Sequence, residues 1–230
     1  ARLFVRSTRK MRLSEEGERY LPHAEAVLAA VAEGRQALVR PGAEIAGPLR
    51  ISMPSDLGRN IVLPWLDEFQ RLYPKITLHL RVSDHMADFF QQALDAGLRY
   101  GQLSDSSLVA LPIAPDNRRV LCASPDYVAR HGRPRTPDDL SAHNCLRFVL
   151  KEQTYERWKF HLPEGVKTIS VKGDRLSDDA ELVRRWAVDG LGVAYKSRID
   201  IWPDLKARRL VELFPPQYGD PVPLQLIAAH

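Results

Sequence analysis

The chain has 230 residues, of which 44% are hydrophobic and 27% charged, and its formal net charge is +4. This length and composition fit one or two globular domains with a hydrophobic core, and they exclude a disordered, collagen-like or disulfide-rich chain. The sequence contains neither an apolar run long enough to span a membrane nor a signal-peptide core, so we expect a cytoplasmic protein without a membrane partner.

The positive charge is concentrated at the start of the chain. Residues 1–12 contain five basic residues and no acidic residue, whereas the remainder has 28 basic and 29 acidic residues. A short basic segment on a nearly neutral body is typical of a contact with a polyanion. The alternative is solvated charge that has no partner.

The first 40 residues predict a hairpin and a long helix. Residues 3–7 and 11–13 have the pattern of two short strands around a polar turn, and Ser14 is placed to cap a helix that continues to about Leu38. A seam of apolar residues at alternating spacings of three and four, interrupted at Arg35, favours pairing with a second helix, although packing within one domain also fits. The seam consists of Leu21, Ala24, Leu28, Val31 and Leu38.

Beyond a Pro- and Gly-rich linker at residues 41–47, strand-like and helix-like segments alternate. This alternation predicts βαβ units on a parallel sheet. The expected strands are residues 49–52, 76–82, 98–100, 120–123, 146–149, 168–171, 193–196, 210–213 and 223–229. The expected helices are residues 61–73, 86–95 and 179–188, with one more after Pro125.

The usual catalytic and metal-binding patterns are missing from the sequence. GxSxG, GxxxxGK[ST], HExxH and GxGxxG motifs do not occur at the required positions, and the seven histidines show no ligand spacing. We therefore expect no metal and no cofactor. Cys122 and Cys145 are interpreted as small buried hydrophobic residues, with a redox sensor as the alternative.

Three loop-to-helix junctions are the candidate binding features. Helix N-termini with free N–H groups, placed beyond the carboxyl ends of strands, suit a small anionic or polar ligand. Each junction alone is also an ordinary helix cap, so the prediction depends on all three meeting in one cleft. They contain Ser55 with Asp56, Ser83 with Asp84, and Ser177 with Asp178 and Asp179.

Several phrases of the sequence, in this order and at this spacing, resemble the LysR-type transcriptional regulators. Residues 2–7 (RLFVRS) and 13–17 (LSEEG) are similar to the wing and the start of the linker helix of a winged helix-turn-helix domain. Residues 49–55 (LRISMPS), 98–101 (LRYG) and 190–193 (GLGV) are similar to parts of the effector domain. The resemblance extends over nearly the whole chain.

The resemblance implies an α/β fold with two subdomains, arranged as in type 2 periplasmic binding proteins and preceded by a winged-helix remnant and a long linker helix. The DNA-reading helices are expected upstream of Ala1, and a last helix is expected after His230. The implied divisions are the wing at residues 1–14, the linker and dimerisation helix at 15–40, the hinge linker at 41–47, subdomain I at 48–118 with 222–230, and subdomain II at 119–221.

The function implied by the resemblance is a non-enzymatic, ligand-responsive DNA-binding regulator with a small-molecule effector in the cleft. The expected effector contacts are Ser55, Asp56, Leu57, Ser83, Asp84, Arg99, Tyr100, Ser177, Asp178 and Lys196. The expected contacts with the DNA backbone are Arg6, Arg9, Lys10 and Arg12. A homodimer or homotetramer is expected to form through Leu21, Leu28, Val31, Leu38, Trp65, Phe69, Leu182 and Trp186.

Two other classes of protein share this fold. One is a solute-binding protein of a transport system, which has no use for a basic hairpin and a pairing helix. The other is an enzyme, such as a dehydratase of amino-acid biosynthesis or a deaminase that makes tetrapyrroles. An enzyme requires an acid–base pair or a cofactor-attaching cysteine in the cleft, which the sequence does not offer persuasively.

Overall fold

The computed structural model describes residues 3–6, 11–37, 45–84, 94–101, 108–150 and 153–229. The chain forms two compact units, Ala1–Ile45 and Ala46–His230, which are described separately. Residues 86–93 of one predicted helix lie outside the described residues, as do Arg9, Lys10 and Leu38.

The smaller unit is a hairpin followed by one long helix, as the sequence predicts. The two strands pair antiparallel, and the Ser14 hydroxyl accepts a hydrogen bond from the Gly17 N–H at 3.0 Å, which caps the helix. A Cβ atom at Gly17 would lie 2.1 Å from the Leu3 carbonyl oxygen, so this position requires glycine. The elements are β1 (Phe4–Arg6), β2 (Met11–Leu13) and α1 (Glu15–Ala37).

The larger unit contains the predicted strands, each within three residues of the predicted bounds, and further elements besides. In chain order these are β3 (Gly47–Met53), α2 (Ser55–Leu57), α3 (Leu63–Leu72), β4 (Ile76–Val82), β5 (Ala96–Tyr100), β6 (Leu108–Ala114), β7 (Arg119–Ala123), α4 (Pro125–His131), β8 (Cys145–Leu150), β9 (Gln153–Tyr155), β10 (Arg157–Leu162), β11 (Gly165–Ser170), β12 (Leu176–Ser177), α5 (Ala180–Val188), β13 (Val193–Ser197), α6 (Trp202–Lys206), β14 (Val211–Glu212) and β15 (Leu224–Ala229). A π-helical turn, Gly58–Val62, joins α2 to α3, so the first helix begins at Ser55 and not at residue 61. Two short 3₁₀ segments are Pro137–Ala142 and Pro216–Tyr218.

Two mixed sheets form the two lobes of this unit. Lobe 1 has the strand order β4-β3-β5-β15-β6, and lobe 2 has the order β12-β8-β13-β7-β14. In lobe 1, β3 runs parallel to β4 and β5, whereas β15 runs antiparallel to both of its neighbours. The predicted parallel pairing is thus present between β3 and its two neighbours. The antiparallel direction of β15 was not predictable, because the alternation of side chains along a strand is the same for both strand directions.

Two connections join the lobes, one between β6 and β7 and one before β15. Asn117, in the first connection, is buried, and its side-chain amide donates to Ser197 Oγ at 3.0 Å and to the Val222 carbonyl oxygen at 2.8 Å. The Asn117 side-chain oxygen accepts from the Ile199 N–H at 3.3 Å. The Asn117 side chain thus links the first connection by hydrogen bonds to the second connection and to the end of β13 with the loop that follows it.

Each lobe has its own hydrophobic core. In lobe 1, Met53 and Leu57 pack with the start of β15. In lobe 2, Trp158 and Phe160 are 1% exposed and lie against the ring of Tyr195, with centroid distances of 5.4 and 5.1 Å. The sequence predicted only the second strand of the β10–β11 hairpin that carries this aromatic core.

Candidate functional site

The predicted loop-to-helix junctions meet at the boundary between the lobes. In lobe 1, Ser55 begins α2 directly after β3, and Asp84 follows β4, the neighbour of β3 in the sheet. In lobe 2, Asp179 caps α5 by accepting the Glu181 N–H at 2.9 Å, as the capping interpretation predicts. The carboxyl ends of two strands in lobe 1 therefore face the N-terminus of a helix in lobe 2.

The Asp84 carboxylate connects the two lobes directly. Its Oδ1 atom accepts the Ser55 N–H at 2.9 Å, and its Oδ2 atom accepts both the Ser55 hydroxyl and the Ala180 N–H, the latter at 2.9 Å. The Ser55 hydroxyl oxygen in turn accepts the Glu181 N–H at 3.2 Å. One carboxylate of lobe 1 is thus hydrogen-bonded to a helix N-terminus in each lobe.

A buried ion pair crosses the boundary beside this contact. Asp56 has no exposed surface, and its carboxylate contacts Lys196 Nζ and lies 3.6 Å from Arg184 Nε. Burial raises the pKa of Asp56 well above its usual value. Burial alone would lower the pKa of Lys196, but the charges of Asp56 and Asp200 outweigh it and raise that pKa.

Arg184 organises a second set of contacts that the sequence did not predict. Its guanidinium donates to both carboxylate oxygens of Glu181 at 2.7 Å and to Asp204 at 2.6 Å. Asn60 in lobe 1 donates to the same Glu181 carboxylate at 2.8 Å. Burial raises the pKa of Glu181, but the hydrogen bonds from Arg184 and Asn60 prevail and lower it to about 2. The spacing of Glu181 and Arg184 on one helix was the available sequence signal.

Tyr100 and Arg99, both predicted as effector contacts, make different connections. The Tyr100 hydroxyl donates to Asp200 in lobe 2 at 2.5 Å, and burial raises the pKa of Asp200 to about 6. The Arg99 guanidinium is buried and donates to Ser52 Oγ and to the Leu98 carbonyl oxygen, each at 2.6 Å, within lobe 1. Only Tyr100 of this pair reaches across the boundary among the described residues.

The remaining predicted contacts lie around the junctions. Leu57 is 1% exposed because its side chain packs in the core of lobe 1, so only its backbone is left to contact a ligand. The Ser83 N–H donates to the Met53 carbonyl oxygen at 2.9 Å, and the Ser177 hydroxyl accepts the Asp179 N–H at 3.0 Å. Asp178 is exposed beside the cap of α5.

Most of the predicted oligomer residues that the structure describes present apolar surface to solvent. Leu28 on α1 is 69% exposed and Trp65 on α3 is 65% exposed, while Leu21 and Leu182 are exposed to a smaller extent. Phe69 is half-buried against Tyr73, and Trp186 packs on the core of lobe 2. The side chains of Val31, Arg6 and Arg12 lie outside the description.

Other kinds of site find no support in the part of the chain that the structure describes. No three His, Cys, Asp or Glu residues form a metal-binding group there, and none of the helices described there is both long and apolar enough to cross a membrane. Cys122 and Cys145 are buried, and burial raises the pKa of each thiol to about 12. Neither cysteine therefore carries the thiolate that a redox sensor requires.

Sequence comparisons place these features in a family. The profile of the LysR substrate binding domain matches residues 42–230. The HTH-type transcriptional regulator DmlR of Escherichia coli (strain K12) is 33% identical over 216 residues, covering 94% of this chain and 70% of DmlR. The HTH-type transcriptional activator TtdR of the same strain is 30% identical over 217 residues, covering 93% of this chain and 68% of TtdR.

Solved structures give the same result. CrgA, a LysR-type transcriptional regulator from Neisseria meningitidis, matches with a TM-score of 0.73 and 25% identity over 100% of this chain and 77% of the CrgA chain. The Vibrio cholerae virulence activator AphB matches with a TM-score of 0.69 and 26% identity over 100% of this chain and 78% of the AphB chain.

These matches confirm the predicted two-lobed fold of the type 2 periplasmic-binding-protein kind and the function of a ligand-responsive transcriptional regulator. The relatives named above are regulators, which favours this function over a transport protein or an enzyme. The chain therefore belongs to the LysR family of transcriptional regulators.

Proposed function

We propose that a small-molecule effector binds at the lobe boundary and that its binding changes how the two lobes meet. The observation that carries this proposal is the convergence of Ser55 and Asp84 from lobe 1 with Ala180 and Glu181 from lobe 2. A ligand at these junctions touches both lobes. It shifts their arrangement to the extent that it binds one arrangement more tightly than another.

The chemistry of the junctions indicates the kind of effector. The N–H groups and the Ser55 hydroxyl suit an anionic or hydrogen-bond-accepting group, whereas the exposed acid Asp178 suits hydroxyl or amino donors. We infer a small polar metabolite that carries both kinds of group. Asp56 and Lys196 bind each other in the structure. We assign this ion pair the role of holding the junctions in position.

The effector proposal is tested with a panel of small metabolites in calorimetry. Ser55→Ala is expected to weaken a true effector roughly ten-fold or more, because a hydrogen bond to a charged group contributes about 1.5 to 3 kcal/mol. Ser83→Ala tests the second junction, and Ser141→Ala, on an exposed 3₁₀ segment, is the matched control. Unchanged affinity in both junction variants would place the effector elsewhere.

We further propose that the protein works as a homodimer or homotetramer in the cytoplasm and does not act as an enzyme. The exposed apolar side chains on α1 and α3 support self-association. The basic residues Arg6, Arg9, Lys10 and Arg12 in and beside the hairpin support contact with DNA phosphates. In this proposal residues 1–14 are the wing, 15–40 the dimerisation helix and 41–47 the hinge linker. Subdomain I then corresponds to residues 48–118 with 222–230, and subdomain II to 119–221.

A further inference from the structure

An anion-binding position at the lobe boundary is filled by a carboxylate of the protein itself. Asp84 accepts three hydrogen bonds there, from the Ser55 N–H, the Ser55 hydroxyl and the Ala180 N–H. Backbone N–H groups at a helix N-terminus, supplemented by a hydroxyl, are the donors with which α/β proteins bind the anionic group of a ligand. Asp84 therefore stands where the anionic group of a ligand would bind.

The origin of Asp84 distinguishes it from an ordinary helix cap. The cap of α5 is Asp179, which lies next to the helix in sequence and accepts the Glu181 N–H at 2.9 Å. Asp84 reaches the Ala180 N–H from the other lobe, across 96 residues of sequence. Because α5 already has its cap, the contact with Asp84 is an addition that joins the lobes.

The buried positive charge of Arg99 also favours an anion at this position. Arg99 is 9% exposed, and its guanidinium donates to the neutral oxygens of Ser52 and Leu98. Among the described residues it forms no direct ion pair. Ser52 lies in β3, three residues before Ser55. Burial lowers the pKa of Arg99 and the Asp84 charge acts in the opposite direction, so the buried guanidinium and this carboxylate interact electrostatically.

We propose that Asp84 is a tethered anionic ligand that holds the two lobes together in the absence of effector, and that an effector using this position displaces its carboxylate. The inference rests on the proposed function for the role of the boundary, and it adds the group with which the effector competes. A tethered group has an effective concentration in the millimolar range or above. A free monocarboxylate below this concentration therefore does not displace the Asp84 carboxylate. An effector needs further contacts with the protein beyond those of its anionic group.

Chemical rescue with acetate tests this proposal. In Asp84→Ala the position is vacant, so millimolar acetate is expected to bind it and to shift the backbone amide NMR signals of Ser55 and Ala180 in a saturable manner. The wild-type chain is expected to respond at least ten-fold more weakly, because Asp84 occupies the position. Asp126→Ala, which removes an exposed acid in the first turn of α4, is the matched control and is expected to behave as wild type. Sodium chloride at equal ionic strength controls for salt.

Asp84→Asn provides a second variant if Asp84→Ala fails to fold. The asparagine side chain keeps the shape and one acceptor oxygen but loses the charge, so acetate is expected to displace it and to shift the same two amides. The proposal is overturned if a folded Asp84 variant shows no acetate response at these amides, or if the wild type responds as strongly. The experiment uses neither effector nor DNA, so its result is independent of whether the metabolite panel yields an effector.

Discussion

Asp56 and Lys196 show how strongly the lobe boundary depends on single buried charges. Asp56 has no exposed surface and Lys196 is 5% exposed, so water screens neither charge. Each charge compensates the other, and the Lys196 ammonium is also held by the Ala180 carbonyl oxygen at 2.9 Å. Removing one partner therefore takes away the charge in direct contact with the other in the interior.

We predict that Lys196→Met lowers the free energy of unfolding by about 3–5 kcal/mol, because it removes the cation in contact with the buried Asp56 carboxylate and leaves Arg184 Nε, 3.6 Å away, as the remaining described cation beside it. Urea unfolding followed by circular dichroism measures this change. Adding Asp56→Asn to the variant is expected to recover part of the loss, whereas the exposed Lys172→Met is expected to change stability by less than about 0.5 kcal/mol. Equal losses in Lys196→Met and Lys172→Met would contradict the prediction.

Asp200, buried at the lobe boundary, makes the stability of the folded chain depend on pH. Burial raises its pKa to about 6, whereas the unfolded chain has the ordinary, lower pKa of an aspartate. The folded chain therefore binds this proton more tightly, and the resulting stabilisation is full below the unfolded pKa and lost as the pH rises through about 6. We predict that, as the pH rises from about 4 to about 7, the free energy of unfolding of the wild type falls by up to about 3 kcal/mol relative to that of Asp200→Asn. Urea unfolding across this range measures the difference, and parallel pH profiles for the two proteins would refute it.

At the scale of elements, local features were predictable and distant pairings were not. The caps Ser14 and Asp179 and the bounds of β4 follow from neighbouring residues, and the structure confirms them. The direction of β15 and the presence of β6 depend on partners far away in sequence, because β15 pairs with both β5 and β6. No local pattern contains that information.

The candidate site divides in the same way. Ser55 and Asp84 each end a predictable strand, so their positions at one edge of the sheet followed from the sequence. The contacts of Asn60 with Glu181 and of Tyr100 with Asp200 depend on how closely the lobes approach each other. A tertiary distance of this kind is absent from the spacing of residues in the sequence.

The two connections between the lobes depend on Asn117. We predict that Asn117→Ala lowers the free energy of unfolding by about 2–3 kcal/mol, because the buried Ser197 and Val222 and the partly buried Ile199 lose hydrogen bonds. Asn117→Asp keeps the acceptor for Ile199 but loses both donors, so it is expected to be destabilising as well. Thermal unfolding measures both variants. A wild-type melting temperature in both would show that this side chain does not hold the connections.

At the scale of the whole molecule, exposed apolar side chains predict self-association. We expect light scattering at micromolar concentration to give at least twice the chain mass of 26.1 kDa. Replacing Leu28 and Trp65 together by lysine is expected to shift the mass towards the monomer, since both side chains are mostly exposed. Trp202→Lys, which changes an exposed tryptophan on α6, is the control. A stable wild-type monomer would contradict this assembly.

The basic hairpin predicts salt-dependent binding to DNA. In a DNA-binding regulator that carries this hairpin, neutralising two of Arg6, Arg9, Lys10 and Arg12 is expected to weaken binding to all duplexes alike. The slope of log K against log salt is expected to fall by about two units, because each lost phosphate contact releases one counterion fewer. Fluorescence anisotropy at several salt concentrations measures this slope. A loss confined to one DNA sequence would instead mean that the hairpin reads bases.

The central claim is that one ligand engages both lobes of this LysR-family regulator. Hydrogen–deuterium exchange of the protein with and without a compound from the metabolite panel tests it most directly. We predict that the compound protects peptides covering residues 53–60 and 177–183 together, while α4 exchanges at an unchanged rate. Protection confined to one lobe, or located away from both junctions, would contradict the claim.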